Sequence, residues 1–421
     1  MRFQPGGHGR GKTPFGHTAF PPFPSPTTKT TGAQSASAVF KQAAPAAAQT
    51  REDGTMHSTQ NSQRMGQLTG LAGIFRTMAV LCLLMTASAH AAVFYVDAAS
   101  TAPAPDGASW ATAYPDLQSA VDAAGAGDEV WVRAGVYRGT TDPVLTLRVG
   151  VAVYGGFDGT ESARDQRNWA GRPTVLDGEG LRRCVLGADT AVLDGFTVTR
   201  GRADYGGGMH NRSCSPTVAN CLFLRNWATV DGGAVDNYYG SPVFENCLFV
   251  ENTAEREGGG LKNGYGNTQV RNCVFTRNTA AYGNAISIHW GASVVTNSII
   301  WGNGAPGDYQ VYSIIVGVLQ LTHCCVERGY TGTGNISSDP LFVGAGNGGV
   351  QLREDSPCVD AGSADGAPAL DYLGRPRPAG GGVDMGAYEG AVAPGDVVTL
   401  TVAVTPDWGG MTYPYPGTYS C

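Results

Sequence analysis

The sequence predicts an all-β chain wound into a parallel β-helix, closed by a short helix at its N-terminal end and a loop-rich cap at the other. Three observations predict it. One phrase recurs: "NCLFLRN" from Asn220, "NCLFVEN" from Asn246, "NCVFTRN" from Asn272 and a looser "NSIIWGN" from Asn297. The interval is 26 residues, and 25 at the last step, a period that marks stacked supersecondary units. The 421 residues include 61 glycines and only 15% charged side chains, a balance that favours turn-rich strands over helical bundles. Within each repeat the apolar stretches, such as "PVFENCLF" and "GGAVDN", are short and broken by Gly, Asn and Thr. They leave no room for a helix. A leucine-rich repeat would need its leucine ladder, and a propeller blade needs about 40 residues.

Aligned from Asp194, the repeats fall into columns. Cys221, Cys247 and Cys273 share one; Phe223, Phe249 and Phe275 share another, continued by Ile300. Asn226, Asn252, Asn278 and Asn303 form a third, and Asn211, Asn237 and Asn263 a fourth. In a stack of coils each strand pairs with the coil below, about 4.8 Å away. The Cys and Phe columns then make an apolar ladder inside the cylinder, each Phe contributing about 1.5–3 kcal/mol by burial. An asparagine at a turn can adopt left-handed backbone angles, and its side-chain amide can bond to the asparagines above and below. Glycine pairs at 206–207, 232–233 and 258–259 fit corners that no Cβ would tolerate. Leu222 and Leu248 are apolar as well, so a bulge that shifts the inward set stays open.

Both ends of a solenoid need covers. In "AYPDLQSAVDAAGAG", Pro115 suits a first helical position and Gly125 a C-terminal stop. Leu117, Ala120, Val121 and Ala124 lie on one stripe, so this short helix is expected to plug the core. "GDEVWVRAGVYRG" then reads as the first strand, with Val130, Val132 and Val136 inside. The period dissolves after Asn303, and the loop-heavy stretch to residue 390 reads as the C-terminal cap, "GAGNGG" at 344–349 being a loop. Residues 391–421, from "DVVTLTVAVTP", read as the start of a small β module belonging to a longer chain.

The N-terminal region differs in kind. Residues 1–64 are rich in Pro, Ser, Thr, Gln, Gly and Ala without an apolar period, and read as disordered or as lying outside the mature protein. Residues 65–91 read as a signal peptide: Arg76 flanks the apolar run Met78–Ala87, and Ala89-His90-Ala91 supplies the small-x-small cleavage pattern. Translation is then expected to start at Met56 or Met65, with cleavage after Ala91. The competing reading, a transmembrane anchor, needs about 20 apolar residues. The mature chain, 92–390 and onward, is therefore expected to be exported, without a membrane span. Residues 1–91 carry 8 Lys and Arg against 2 Asp and Glu, which leaves 20 against 33 for the remainder, a net of −13. So acidic a body argues against nucleic acid as a partner. Of 10 cysteines, Cys82 leaves with the signal and nine remain. Export permits disulfides, but the spacing specifies no pairing and no metal site.

The ordered motifs "GASWATAYPDLQSAVDAAGAGDEVWVRAGVYRG", "VYGGFDGTE", "LDGFTVTRG", "GGGMHN", "NCLF", "DPLF", "SPCVDAG" and "VDMGAYE" resemble bacterial right-handed parallel β-helix surface proteins. They resemble in particular those ending in a choice-of-anchor Q type module. The resemblance spans about residues 93–390. The "FLRN", "FVEN", "FTRN" and "GGAV" elements are also similar to repeats of chlamydial polymorphic outer-membrane adhesins. Both resemblances imply a secreted or cell-surface location and a right-handed coil. They imply no activity, and the expected sortase motif, hydrophobic anchor or autotransporter barrel is not visible.

Function must be argued from a site. His210, Asp236 and Lys262 share an outward column; Tyr205, Asp231 and Glu257 share the one before the glycine corners. At one-coil spacing Asp231 and Glu257 would lie within about 5 Å, close enough to share a proton or hold calcium, and near the separation used by retaining glycosidases. Lys262 would suit a lyase base. The plainer reading is a solvated ladder of mixed charges that screen one another. Tyr205, Tyr238, Tyr239, Tyr265 and Trp290 would stack on sugar rings, or are scattered surface aromatics. No established catalytic motif appears in a convincing context, so no catalytic residue and no cofactor beyond calcium is assigned. Two readings follow: a non-enzymatic surface solenoid that binds polysaccharide or another cell-surface ligand, and a carbohydrate-active β-helix enzyme.

Overall fold

A computed structural model describes residues 91–391, apart from 306, 315–316 and 344–348, together with the backbone of 399–400 and 419–420. All of these belong to one unit, Leu84–Cys421. The expected disordered leader, the expected signal peptide up to residue 90 and nearly all of the expected C-terminal β module lie outside the described residues.

One coil shows how the repeat becomes structure. Thr217–Ala219, Leu222–Leu224 and Val235–Tyr238 are three short strands, and each joins a different parallel sheet. Among the described residues these sheets hold nine, eight and seven strands, here called sheets 1, 2 and 3. Register is kept coil to coil: Leu222 pairs with Leu248 and Leu248 with Val274, Phe223 with Phe249 and Phe249 with Phe275. The chain is a parallel β-helix, and its backbone groups are satisfied between neighbouring coils rather than within them.

The inward columns form one continuous core. Phe223, Phe249 and Phe275 are fully buried and stacked, with centroids 5.1 and 4.3 Å apart. Asn226, Asn252, Asn278 and Asn303 form a buried amide ladder, Nδ2 to Oδ1, at 2.9, 2.9 and 2.8 Å. The left-handed backbone angles fall elsewhere. Asn220, Asn246, Asn272 and Asn297 adopt φ of 49–51°, and Arg225, Glu251 and Arg277 adopt 54–56°. The turn therefore strains the residue before each laddered asparagine, which leaves the laddered amide free to face inward. At the corners, Gly232 has φ +66°, and a Cβ on Gly233 would meet Gly259 O at 2.4 Å.

The ends depart from expectation in three respects. The first strand is Val93–Val96, which precedes the helix and pairs with Glu129–Arg133. The helix is Leu117–Ala123, capped by Asp116, whose Oδ2 accepts from Ser119 N at 2.8 Å. Pro115 thus lies outside it, since an aspartate one residue later satisfies the free N–H groups. Its Leu117, Ala120 and Val121 close the core beside Val130 and Val132, while Val136 is only half-buried and Tyr137 takes the inward place.

The third departure is the C-terminal segment. The turn after Cys325–Val326 brings Tyr330 against the core and Ile336 against Cys325, and so covers the last coil. The described residues between 340 and 390 do not stay at that end. They run back along the outer face of sheet 2, where Val350, Leu352, Tyr372, Met385 and Tyr388 bury Leu222, Leu248, Val274 and Ile299. Sheet 2 is therefore apolar on both faces, and no bulge is needed to explain Leu222 and Leu248. The left-handed asparagines dock this strap: Asn246 Nδ2 donates to Leu370 O at 2.8 Å and Asn297 Nδ2 to Ser363 O at 2.7 Å.

Candidate groove between the wing and sheet 3

Between sheets 2 and 3 the chain makes an outward excursion, in which Arg202–Tyr205, Trp227–Asp231 and Thr253–Ala254 form a small parallel wing. Glycine corners return it to sheet 3. The returning edge of the wing and the outward face of sheet 3 make two adjacent columns along the coil axis. In the wing column Tyr205, Asp231, Glu257 and Tyr282 follow one another. In the sheet column His210, Asp236, Lys262, Ser287 and Tyr312 are in register.

The structure brings all five expected residues, His210, Asp231, Asp236, Glu257 and Lys262, into this groove. It corrects the reading of a solvated ladder. Asp231, Asp236, Glu257 and Lys262 are 4–7% exposed, because the wing folds over the face that a simple three-sided coil would leave in water. Buried charges need partners, and each has one. Lys262 Nζ lies 2.5 Å from Glu257 Oε2, which also accepts from Ser287 Oγ at 3.0 Å. Arg256 Nε donates to Asp231 Oδ1 at 2.8 Å. His210 Nδ1 lies 3.0 Å from Asp236 Oδ2, and His289 Nε2 lies 2.5 Å from Glu257 Oε2. Neither imidazole nitrogen is in line for a hydrogen bond.

Asp231 and Glu257 are thus neighbours across one coil step, but each is held by its own cation instead of sharing a proton with the other. Among the described residues no group of three or more His, Cys, Asp or Glu is gathered as a metal site. Burial, with Asp231 adding, raises the Asp236 carboxyl above its ordinary range against the opposing pull of His210 and Lys262. Burial and the Lys262 ammonium lower the His289 imidazole, which Glu257 only partly offsets. The groove therefore holds a carboxyl that resists ionisation and a histidine that resists protonation.

Sequence reasoning missed Arg256, Ser287 and His289. Ser287 extends the His210–Asp236–Lys262 column by one shortened repeat and was legible there. Arg256 and His289 sit off both columns and reach in from the side.

The aromatics are divided by the structure. Tyr205 and Tyr282 stand exposed at the two ends of the wing column. Tyr239, Tyr265 and Trp290 form a separate ladder at the turn into sheet 1, stacked on one another at 4.7 and 5.6 Å, with Tyr238 edge-on. Tyr265 is covered on both faces by its neighbours in this ladder, while Tyr239 and Trp290 at its ends stay exposed.

A second concavity, of about 620 Å³, opens where the strap meets the earlier coils, with Tyr154, Arg164, Arg167, Trp169 and Leu373 in its lining. Its guanidinium groups lie over its rings, Arg164 over Tyr154 at 4.7 Å and Arg167 over Trp169 at 4.4 Å. Arg167 is paired with Asp194 at 2.7 Å, and Trp169 Nε1 donates to Tyr372 O at 2.6 Å. These contacts make it a joint for the strap.

A family model described as "Right handed beta helix region" matches residues 183–327, the span that holds the whole groove. No curated protein matches the chain. The coil geometry and this match agree on a right-handed parallel β-helix.

Proposed function

We propose that this chain is an exported surface solenoid that binds an extended polysaccharide along the groove between the wing and sheet 3, without cleaving it. One observation carries the reading: polar side chains pre-organised by ion pairs run in two columns over consecutive coils, ending in the exposed rings of Tyr205 and Tyr282. A polymer lying parallel to the coil axis would meet the exposed rings of Tyr205 and Tyr282 and, between them, the exposed Arg256 and the half-buried His210 and His289, held from beneath by the buried carboxylates. Binding without turnover is favoured because the carboxylates a hydrolase or lyase would use are already engaged: Asp231 by Arg256, and Glu257 by Lys262 and Ser287.

The test is a binding panel of neutral and acidic polysaccharides against the purified full chain, read by calorimetry and by assays for new reducing ends and unsaturated sugars. Binding weakened at least tenfold by Tyr282→Ala, with no products, is the expected result. Fractionation of the native host checks export. No binding to any polysaccharide would sink the reading.

A second reading, a carbohydrate-active enzyme, is favoured by the protonated tendency of Asp236 beside the neutral tendency of His289, an acid and a base in one groove. Products that appear with the wild type and vanish with Asp236→Asn would select it.

A further inference from the structure

The outward column of sheet 2 runs Leu222, Leu248, Val274, Ile299 and ends at Cys325. Cys358 lies in the strap that covers this column. Both cysteines are free thiols, fully buried in the same apolar layer. Each is held in place independently. Cys325 Sγ reaches Ser338 O at 3.2 Å, while Cys358 O accepts from Met385 N and Cys358 N donates to Ser356 Oγ at 3.1 Å. One short segment touches the surroundings of both: Ser338 O accepts from Cys325 Sγ, and two residues on Pro340 O accepts at 2.7 Å from Ser356 Oγ, the same hydroxyl that Cys358 N reaches; a disulfide needs Cβ atoms about 3.8 Å apart. The inward cysteines differ. Cys221, Cys247 and Cys273 project in parallel from consecutive coils, which holds their Cβ atoms about 4.8 Å apart, outside that range.

From this juxtaposition we propose that Cys325 and Cys358 form a disulfide that staples the returning strap to the last coil. The oxidant is a protein or small-molecule disulfide. One cysteine thiolate attacks it, forming a mixed disulfide and releasing one thiolate. The second cysteine attacks the mixed disulfide, the Cys325–Cys358 bond forms, and the oxidant leaves as a dithiol that has gained two electrons and the two thiol protons. In the closed fold burial and mutual contact raise the Cys325 thiol, so the exchange belongs to the stage at which the strap docks. In the cell the bridge rests on the reading that the chain is exported, because an oxidising compartment is required to keep it.

The test separates the two ideas. The full chain is refolded in a glutathione redox buffer, and in a second arm it is expressed behind a secretion signal in an oxidising host compartment. Free thiols are counted by alkylation after denaturation, and cross-linked peptides are mapped by mass spectrometry. A peptide joining Cys325 to Cys358, two fewer alkylated thiols, and a melting midpoint lowered on the order of 5–10 °C by reduction are the expected results. Cys325→Ser and the double variant Cys325→Ser/Cys358→Ser should show the same lowered midpoint, since either removes the whole bridge. Low refolding yield leaves the secreted arm to decide. Free thiols in both arms, or a bridge between other cysteines, overturn the staple and leave export untouched. A bridge formed in the refolding buffer by a chain that stays in the cytoplasm of its native host overturns export alone.

Discussion

Phe249 and Phe275 lie with ring centroids 4.3 Å apart and planes within 1° of parallel, although 26 residues separate them in sequence. Phe249 also stacks on Phe223 on its other side, so it is clamped from both directions. Phe249→Ala opens a cavity that neighbouring coils cannot fill without breaking their own register. The expected loss is about 3–5 kcal/mol, read by urea denaturation. Phe249→Leu should cost distinctly less, and equal losses for both would argue against a packed ladder.

The amide of Asn252 makes four bonds. It accepts from Asn226 N and Asn226 Nδ2 at 3.0 and 2.9 Å, and donates to Phe223 O and Asn278 Oδ1 at 2.9 Å each. Asn252→Leu keeps the volume and strands buried polar atoms on two coils. A loss of about 2–4 kcal/mol is expected, with faster hydrogen exchange at Asn226 N as the local signature. A neutral substitution would mean that the ladder is decorative.

His289 gives the groove a pH response with a definite sign. Burial and Lys262 hold its folded value below the ordinary 6.5, so the folded chain binds fewer protons there than the unfolded one. Stability from this group is present above pH 6.5 and is lost as pH falls through the depressed folded value. Asp236 acts in the opposite sense: its folded value is raised, so its contribution is full in acid and is lost as pH rises through that value. Thermal midpoints between about pH 4 and 8 should rise with pH in a window below 6.5, a slope that His289→Gln flattens, and should carry a falling contribution above the ordinary carboxyl value that Asp236→Asn removes. An unchanged profile in both variants would contradict the buried environment of the groove.

Arg377 ties the strap together from within. Its guanidinium is 1% exposed, as is the carboxylate of Glu389, 2.7 Å away. It also donates to Ala387 O at 2.8 Å and Asn246 Oδ1 at 3.1 Å. Arg377→Ala leaves Glu389 charged and unpaired, at a cost of about 3–5 kcal/mol. Because the pair lies in the strap, limited proteolysis should cut between residues 340 and 390 before it cuts the coils, and an apolar dye should bind the uncovered outer face of sheet 2. Uniform cleavage along the chain would show instead that strap and coils unfold as one unit.

Much of the coil was legible because its contacts repeat at the period of the sequence. A residue 26 places away is a spatial neighbour, so the columns of Phe223, Asn226 and Cys221 could be read as ladders without coordinates. The capping helix was legible from its apolar stripe, whereas its start was misplaced by two residues: Asp116 and Pro115 are both credible starters, and only the Ser119 contact decides between them. In the groove, the columns were legible and their burial was not. Whether Asp231 faces water depends on the path of the wing, which is set by the Gly232 and Gly233 corner. The aromatic ladder of Tyr239, Tyr265 and Trp290 was legible as a cluster, but ring orientation has no signal in composition or spacing.

The sequence by itself determined the coil: its pitch, its short strands, its inward Phe and Asn ladders and its helical plug. All of these are nearest-neighbour matters in a one-dimensional stack. Only the tertiary structure decided that the described residues between 340 and 390 return along sheet 2, that the charged columns are covered, and that Cys325 and Cys358 share one buried layer. Those contacts join segments at no fixed interval, such as Trp169 with Tyr372 and Asn246 with Arg377. Their partners are chosen by the shape and polarity of faces that exist only once the coils have stacked.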